Sequence, residues 1–181
     1  AWPVVFEGKN IKARRNAGTF DGSDNVRYAA QLQTETPAFK RWFGDSKVVD
    51  ADGNPLAVYH GTRTKSDAID AFDIQKAGSQ TDAGWMGKGF YFGSKATADA
   101  YAGHHELDPD HFPVGGAVYP VYLSIKNPAM LIDTERNDGP RTMVRELLDL
   151  PDSASASDVR EGLLAAGYDG VIYERFSPSG Q

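Results

Sequence analysis

Short apolar runs separated by turn residues make up most of the chain, and they predict a domain rich in β-strands. The clearest run is 118–125, where aromatic and β-branched residues precede an Asn-Pro pair, and 129–132 extends the sheet. Further strands are predicted at 2–7, 56–59, 90–92 and 171–174. Pro3 restricts the first of these strands to a sheet edge or a bulge, because proline lacks the N–H that a central strand donates.

Three segments between these strands have the spacing of short helices. The first is 36–44, which ends at Gly44 and carries three aromatic residues on one face, a pattern typical of core packing. The second is 142–150. The third is 157–166, for which Ser157 is the predicted N-cap.

A β-hairpin is predicted where two apolar runs flank strong turn residues. The runs are 47–50 and 56–59, and the Ala-Asp-Gly-Asn-Pro sequence lies between them. The second strand of this hairpin leads into His60.

The most distinctive segment is 87–94, in which glycines lead into an aromatic strand and then into a helix. Rings at successive positions of this strand face opposite sides, and Ser94 suits the N-cap of the alanine-rich helix that follows. The short strand end 58–62 carries a histidine, a glycine and a threonine. We predict that these two segments form two walls of one pocket.

Composition bounds the fold and excludes several kinds of site. With 181 residues, 40% hydrophobic and 24% charged, the chain suits a single α+β domain, with a strand and an irregular arm at 1–35 and the main body at 36–181. The absence of cysteine excludes disulfides, thiolate metal sites and a cysteine nucleophile. A net charge of −6 argues against non-specific binding to nucleic acid, and the lack of a long apolar run predicts no membrane partner.

Two polar segments leave their roles open. Residues 63–84, with Phe72 and Ile74 as apolar anchors, form either a loop that covers a substrate or a plain surface loop. Residues 103–111 contain several histidines and carboxylates. Their spacing matches no usual ligand pattern, so no metal site is predicted.

The segment 59–62, followed by 87–92 and a small-residue helix that ends in Tyr101, resembles the catalytic domain of ADP-ribosyltransferases. The similarity is to the diphtheria-toxin-like and poly(ADP-ribose) polymerase-like branch with its His-Tyr-Glu signature, and to domains of phage and bacterial polyvalent or toxin-like proteins. It covers 39–173. It implies split antiparallel β-sheets with a few short helices, and NAD as co-substrate.

The resemblance also implies roles for individual residues. His60 would bind the adenosine-side ribose and Gly61 the nicotinamide amide, while Tyr91 would pack against the nicotinamide-side ribose and Tyr101 would stack on the nicotinamide ring. Further cofactor-binding positions are Thr62, Gly89, Phe92 and Thr97. Taken singly, the two tyrosines also suit core packing, and the histidine also suits a structural role.

The third signature residue, a glutamate on a late strand in the family, has no clean counterpart here. The segment 2–12 resembles that late strand. We therefore expect a circularly permuted chain, or one cut across a tandem array, in which Ala1 and Gln181 lie close together and 2–6 lies beside 171–174.

This arrangement leaves several candidates for the third role. If segment 2–12 is aligned with the family's late strand without a gap, Trp2 stands in the place of the glutamate. A shift of this alignment by one or two residues puts Ala1 or Gln181 there. Gln181 is the predicted third catalytic residue, because an amide still hydrogen-bonds a ribose hydroxyl. The Glu7 side chain would face the opposite side of the strand from that of Trp2. Glu174 lies on the preceding strand of the family's order.

The function implied by the resemblance is NAD-dependent mono-ADP-ribosylation by a cytoplasmic phage or bacterial effector. A protein acceptor is expected, with nucleic acid as the alternative, and the oligomeric state is open. Two other functions remain: a catalytically inactive domain that binds NAD or a partner, and NAD-dependent removal of a 2′-phosphate from RNA. The low basic character counts against the last.

Overall fold

A computed structural model describes residues 1–14, 33–62, 72, 74, 77, 84–103, 116–133 and 139–175. Within these ranges the chain forms seven strands and four α-helices. The strands are β1 Trp2–Val5, β2 Ile11–Ala13, β3 Val58–Thr62, β4 Phe90–Tyr91, β5 Ala117–Leu123, β6 Pro128–Asp133 and β7 Gly170–Arg175. The helices are α1 Pro37–Phe43, α2 Lys95–Tyr101, α3 Gly139–Leu147 and α4 Ala156–Ala165. The chain is therefore an α+β fold with two sheets, consistent with an ADP-ribosyltransferase-like architecture.

The larger sheet has the order β4-β1-β7-β6, with the N-terminal strand inside it. Trp2 pairs with Tyr173, and Val4 pairs with Val171 on one side and with Tyr91 on the other. The prediction that 2–6 lies beside 171–174 is confirmed. Gln181 lies outside the described residues, so its distance from Ala1, and with it the permutation, stays a prediction.

The expectation that Pro3 belongs to an edge or a bulge is wrong, because β1 is a central strand. Pro3 accepts a hydrogen bond from the Phe92 N–H at 3.0 Å, just beyond the two residues of β4. The N–H and C=O of one residue point to the same edge of a strand. The N–H that Pro3 lacks would therefore point toward Phe92, where the pairing of β1 with β4 ends, so its absence breaks no hydrogen bond within the β1–β4 pair.

Strand pairs are antiparallel except for β6 and β7, which run parallel. Helices α3 and α4 connect these two strands, as a parallel pair requires a crossover. The helices cover the sheet face that carries Val4, Val171 and Tyr173. This helix-covered face holds the first of the two main hydrophobic clusters.

The smaller sheet has the order β2-β5-β3, and the second cluster packs between the sheets. Phe90 and Phe92 lie in this cluster, whereas Tyr91 packs against the helix-covered face. The predicted alternation of the three rings is confirmed. Phe72 and Ile74 also pack against the second cluster, as anchors should.

The predicted hairpin is reduced to a single bridge between Val49 and Pro55. The Asp50 carboxylate accepts hydrogen bonds from the N–H groups of Asp52 and Asn54, which stabilises the turn locally. The strand β3 pairs with β5 instead. Local turn chemistry therefore predicted the turn correctly but not the strand partner.

Helix boundaries differ by one to three residues from the sequence-based expectation. Ser94 caps α2 as predicted, by accepting from the Thr97 N–H at 3.2 Å. Ser157 is not the cap of α4, because Ser155 forms a reciprocal capping box with Asp158. The helix therefore begins at Ala156.

Several expectations concern residues outside the described ranges: the arm at 15–32, most of 63–83 and the polar segment 104–115. Among the residues that are described, no helix is long and apolar enough to cross a membrane. The same residues contain no cluster of three or more histidine or acidic side chains that would hold a metal ion.

Candidate functional site

The two predicted walls meet at a bridge between the sheets. Tyr59 on β3 exchanges two hydrogen bonds of 3.0 Å with Gly93, the second residue after β4. This bridge places His60, the next residue of β3, against the aromatic strand. The site is thus built where the smaller sheet joins the larger one.

His60 is fixed by a hydrogen bond to the main chain of Tyr91. Its Nδ1 atom lies 2.9 Å from the Tyr91 carbonyl oxygen. A carbonyl only accepts hydrogen bonds, so Nδ1 carries the proton and Nε2 of the neutral ring presents a lone pair. Nε2 has no hydrogen-bond partner among the described residues. The site therefore offers an acceptor nitrogen of fixed orientation.

Aromatic rings surround the His60 imidazole. The Phe72 ring centroid lies 5.4 Å away and the Phe92 centroid 5.6 Å away. Burial lowers the pKa of His60 below its usual 6.5, with the Tyr91 hydrogen bond opposing this shift. His60 is consequently neutral at physiological pH, which keeps the Nε2 lone pair available.

Gly61 allows α2 to cross β3 at very short range. A Cβ atom on Gly61 would overlap the Ala98 carbonyl oxygen and lie 2.9 Å from its carbonyl carbon. Since alternate residues of a strand point to the same edge, the Gly61 N–H and C=O share the outer edge with those of Tyr59. No described residue bonds to them there. Gly61 thus offers a main-chain donor and acceptor beside His60.

The Tyr91 hydroxyl is engaged by the preceding segment. It donates to the Gly87 carbonyl at 2.8 Å and accepts from the Met86 N–H at 3.1 Å. A Cβ atom on Gly84 would lie 2.5 Å from the Tyr91 Cζ atom, so the chain passes directly over the ring. The hydroxyl therefore serves this segment, and Tyr91 has its ring rather than its hydroxyl to offer a ligand.

The other predicted cofactor-binding residues have varied environments. Tyr101 is the last residue of α2 and is 57% exposed, so it is not a core residue. Thr97 packs against Gly93, with its hydroxyl 3.0 Å from that of Ser94. Gly89 lies close to Val5, where a Cβ atom would be 3.2 Å from the carbonyl oxygen. Thr62 ends β3 and Phe92 is buried beside His60.

No described carboxylate takes the place expected for the third signature residue. Trp2 is 38% exposed, and its ring packs 6.2 Å from Tyr173 and 6.4 Å from Trp85. Glu7 forms an ion pair of 2.5 Å with Lys9. Glu174 is exposed on β7, and Gln181 lies outside the described residues. The structure brings together His60, Gly61, the Phe92 ring and the Tyr91 carbonyl, while the Tyr91 ring lies on the helix-covered face. The third role is left to proposal.

Sequence reasoning missed the arginines that hold the segment before β4. Arg141 on α3 donates to the Trp85 carbonyl at 2.6 Å, and Arg160 on α4 donates to the Lys88 carbonyl at 2.7 Å. These residues are 56 and 72 positions from their partners. No local pattern marks such contacts, and only the packing of the two helices brings them together.

Sequence reasoning also missed the pair formed by Asp133 and Tyr173. The Tyr173 hydroxyl donates to the Asp133 carboxylate at 2.7 Å, and the carboxylate is only 3% exposed. Burial, followed by the hydrogen bond and the negative charge of Asp133, raises the pKa of Tyr173 to about 12, with Arg175 opposing. The available sequence signal was Asp133 itself, an acidic residue at the end of an apolar strand.

Comparison with protein families gives a match over most of the chain. The family model described as ADP-ribosyltransferase in polyvalent proteins matches residues 50–181. The matched region begins before β3 and contains both walls of the site. No curated protein and no solved structure matches the chain.

Proposed function

The chain belongs to the family of ADP-ribosyltransferase domains in polyvalent proteins, and from that premise we propose that it transfers ADP-ribose from NAD to a macromolecular acceptor. The single observation that supports this best is the hydrogen bond of 2.9 Å between His60 Nδ1 and the Tyr91 carbonyl oxygen. It joins the two segments that the resemblance assigns to NAD binding, and it leaves Nε2 of His60 as an oriented acceptor.

In this proposal His60 holds a ribose of NAD. The neutral imidazole accepts a hydrogen bond from a ribose hydroxyl through Nε2, while the Tyr91 carbonyl prevents the ring from turning. Orientation of this kind lowers the entropic part of a reaction barrier before any bond changes. The aromatic rings of Phe72 and Phe92 limit the ring's other conformations.

The main chain of Gly61 binds the nicotinamide amide. Its N–H and C=O face the outer edge of β3 without a described partner, and a carboxamide offers one acceptor and one donor in return. Tyr101, 57% exposed at the end of α2, stacks on the nicotinamide ring. The contact between Gly61 and Ala98 sets the distance between these two groups.

The reaction breaks the bond between C1′ of the ribose and the nicotinamide nitrogen. The bond's electron pair leaves with the nicotinamide, which becomes neutral, and the ribose passes through an oxocarbenium-like transition state. The acceptor's nucleophilic atom then forms a bond to C1′ and releases a proton. Because nicotinamide is already a good leaving group, the protein contributes mainly position and electrostatics. A protein acceptor is our first choice.

One observation favours a second candidate, a catalytically inactive domain that binds NAD. By resemblance Trp2 stands in the place of the family's glutamate, and its ring packs against those of Trp85 and Tyr173. An indole cannot accept a hydrogen bond from an acceptor hydroxyl. NAD would then bind at His60 and Gly61 without efficient transfer.

A transfer experiment distinguishes the two candidates. The protein is incubated with NAD labelled in its adenylate part and with a bacterial extract, and label in macromolecules is compared between wild type and His60→Ala. We expect label in the wild-type reaction alone, and sensitivity to protease or nuclease then identifies the acceptor class. Binding of NAD without any transferred label would support the inactive domain instead.

A further inference from the structure

Five consecutive residues before β4, 84–88, form a segment that is bound at every position. Arg141 donates to the Gly84 carbonyl at 3.5 Å and to the Trp85 carbonyl at 2.6 Å. The next two residues bind the Tyr91 hydroxyl through the Met86 N–H and the Gly87 carbonyl. Arg160 donates to the Lys88 carbonyl at 2.7 Å. We call residues 84–88 the clamp segment.

Two helices hold this clamp segment on the helix-covered face of the larger sheet, where Met86 shares a cluster with Val144 and Val159. Arg141 comes from α3 and Arg160 from the second turn of α4. Gly87 has a φ of 78°, and a Cβ atom there would lie 2.5 Å from the Ala156 carbonyl oxygen. A side chain at this position would therefore push the segment away from α4.

The partners of both arginines are neutral carbonyls rather than carboxylates. Neither guanidinium forms an ion pair with a described residue. Arg160 also lies over the Phe6 ring, 5.6 Å from its centroid, so its side chain is fixed. Hydrogen bonds with one charged partner are stronger than neutral ones, so two such contacts restrain a short segment effectively.

We propose that Arg141 and Arg160 are positioning residues that hold the clamp segment against Tyr91 and thereby fix one wall of the NAD site. The inference rests on the proposed function, which places the Tyr91 ring against the nicotinamide-side ribose. Release of the segment separates the Tyr91 hydroxyl from the Met86 N–H and the Gly87 carbonyl, and the ring then loses its single orientation. The arginines act through the main chain of the clamp segment, since the hydrogen bonds they donate go to its carbonyl groups.

A double-mutant cycle tests this coupling. Tyr91→Phe keeps the ring but removes both of its bonds to the clamp segment, and Arg141→Met removes the tether with little change in volume. We expect either change to raise the KM for NAD about tenfold with kcat little altered. The double variant should resemble the single variants, because both changes disrupt the same contact.

Arg145→Met is the matched control. Arg145 lies one turn further along α3, and its Nε atom donates to the Ala154 carbonyl at 3.1 Å rather than to the clamp segment. Its loss should reduce stability without a change in KM, and its effect should add to that of Tyr91→Phe. Equal effects of Arg141→Met and Arg145→Met on KM would overturn the proposal, as would additivity of Arg141→Met with Tyr91→Phe.

A measurement independent of activity separates this proposal from the proposed function. Hydrogen exchange of the Met86 amide, which donates to Tyr91, should accelerate at least about tenfold in Arg141→Met and stay unchanged in Arg145→Met. Unchanged exchange of the Met86 amide in both variants would show that Arg141 does not hold the clamp segment. If the wild type neither binds nor cleaves NAD, the proposed function fails, and exchange at Met86 still decides whether the tether exists.

Discussion

The Nδ1 atom of His60 lies 2.9 Å from the carbonyl oxygen of Tyr91, although the two residues are 31 positions apart in the chain. This contact joins a strand of the smaller sheet to a strand of the larger one. It defines the tautomer of the imidazole, and the surrounding rings keep it neutral. The chemistry proposed for the site depends on this one relationship.

Gly61→Ala should disrupt the contact between β3 and α2. The added Cβ atom overlaps the Ala98 carbonyl, and main-chain atoms on both sides leave little room for adjustment. We expect a loss of about 1–3 kcal/mol in the free energy of unfolding, the range for overpacked sites, together with weaker NAD binding. Urea denaturation and calorimetry measure the two effects.

Gly162→Ala serves as the control for Gly61→Ala. Gly162 lies within α4, and the atom nearest to its added Cβ is the tip of the Leu148 side chain at 3.0 Å. The change should be close to neutral or stabilising by up to about 1 kcal/mol, since alanine favours helices. If Gly61→Ala is equally harmless, the close approach of α2 is not required.

His60 should make the protein less stable in mild acid. Burial lowers its pKa below 6.5 in the folded state. Its contribution is fully present above pH 6.5, and it declines as pH falls because the unfolded chain takes up a proton first. This contribution to the free energy of unfolding is lost once the pH is below the pKa of His60 in the folded state. His60→Gln, which does not titrate, should show a flatter profile of unfolding free energy against pH, and parallel profiles would contradict the assignment.

Tyr173→Phe should destabilise the larger sheet. It removes the hydroxyl that binds the buried Asp133 carboxylate at 2.7 Å. A buried acceptor left without its donor costs about 1–3 kcal/mol. Tyr168→Phe is the matched control, because the Tyr168 hydroxyl has no hydrogen bond with a described residue. Equal stability of the two variants, measured by urea denaturation, would show that the buried pair contributes nothing net.

The same pair predicts a loss of stability in alkali. The pKa of Tyr173 is raised from 10.0 to about 12. Between these two values the unfolded chain loses a proton that the folded chain retains, so the free energy of unfolding falls as pH rises. Thermal unfolding across this range should show a steeper decline for the wild type than for Tyr173→Phe. Identical slopes would contradict the shift.

Trp2→Glu tests the third catalytic role. Trp2 is 38% exposed, so the sheet should tolerate a carboxylate there. By resemblance to the family, we expect Trp2→Glu to release nicotinamide from NAD faster than the wild type does. Trp2→Gln loses the same ring contacts without adding a charge, and it should show no gain. Equal rates for the two variants would place the third role at another residue.

Local patterns predicted the elements that local chemistry determines. Alternation along 90–92 separated Tyr91 from its two phenylalanine neighbours, and Ser94 marked the start of α2. The resemblance of the N-terminal segment to a late family strand placed β1 beside β7. In each of these cases the information lies within a few consecutive residues or in a recognisable motif.

Features that depend on long-range packing were missed. Pro3 is tolerated in a central strand because β4 ends beside it. The predicted hairpin keeps a single bridge, and β3 pairs with the distant strand β5. The tethers from Arg141 and Arg160 need two helices to be docked on the sheet. None of these relationships has a sequence period or a turn signal.

The most direct measurement is the release of free nicotinamide from NAD by the wild type, His60→Ala and Tyr91→Ala, with Leu164→Ala, an exposed change on α4, as the control. We predict release by the wild type and by Leu164→Ala, and its loss in the two site variants while they remain folded. Unchanged release in folded His60→Ala would contradict the account, as would a wild type that neither binds nor cleaves NAD.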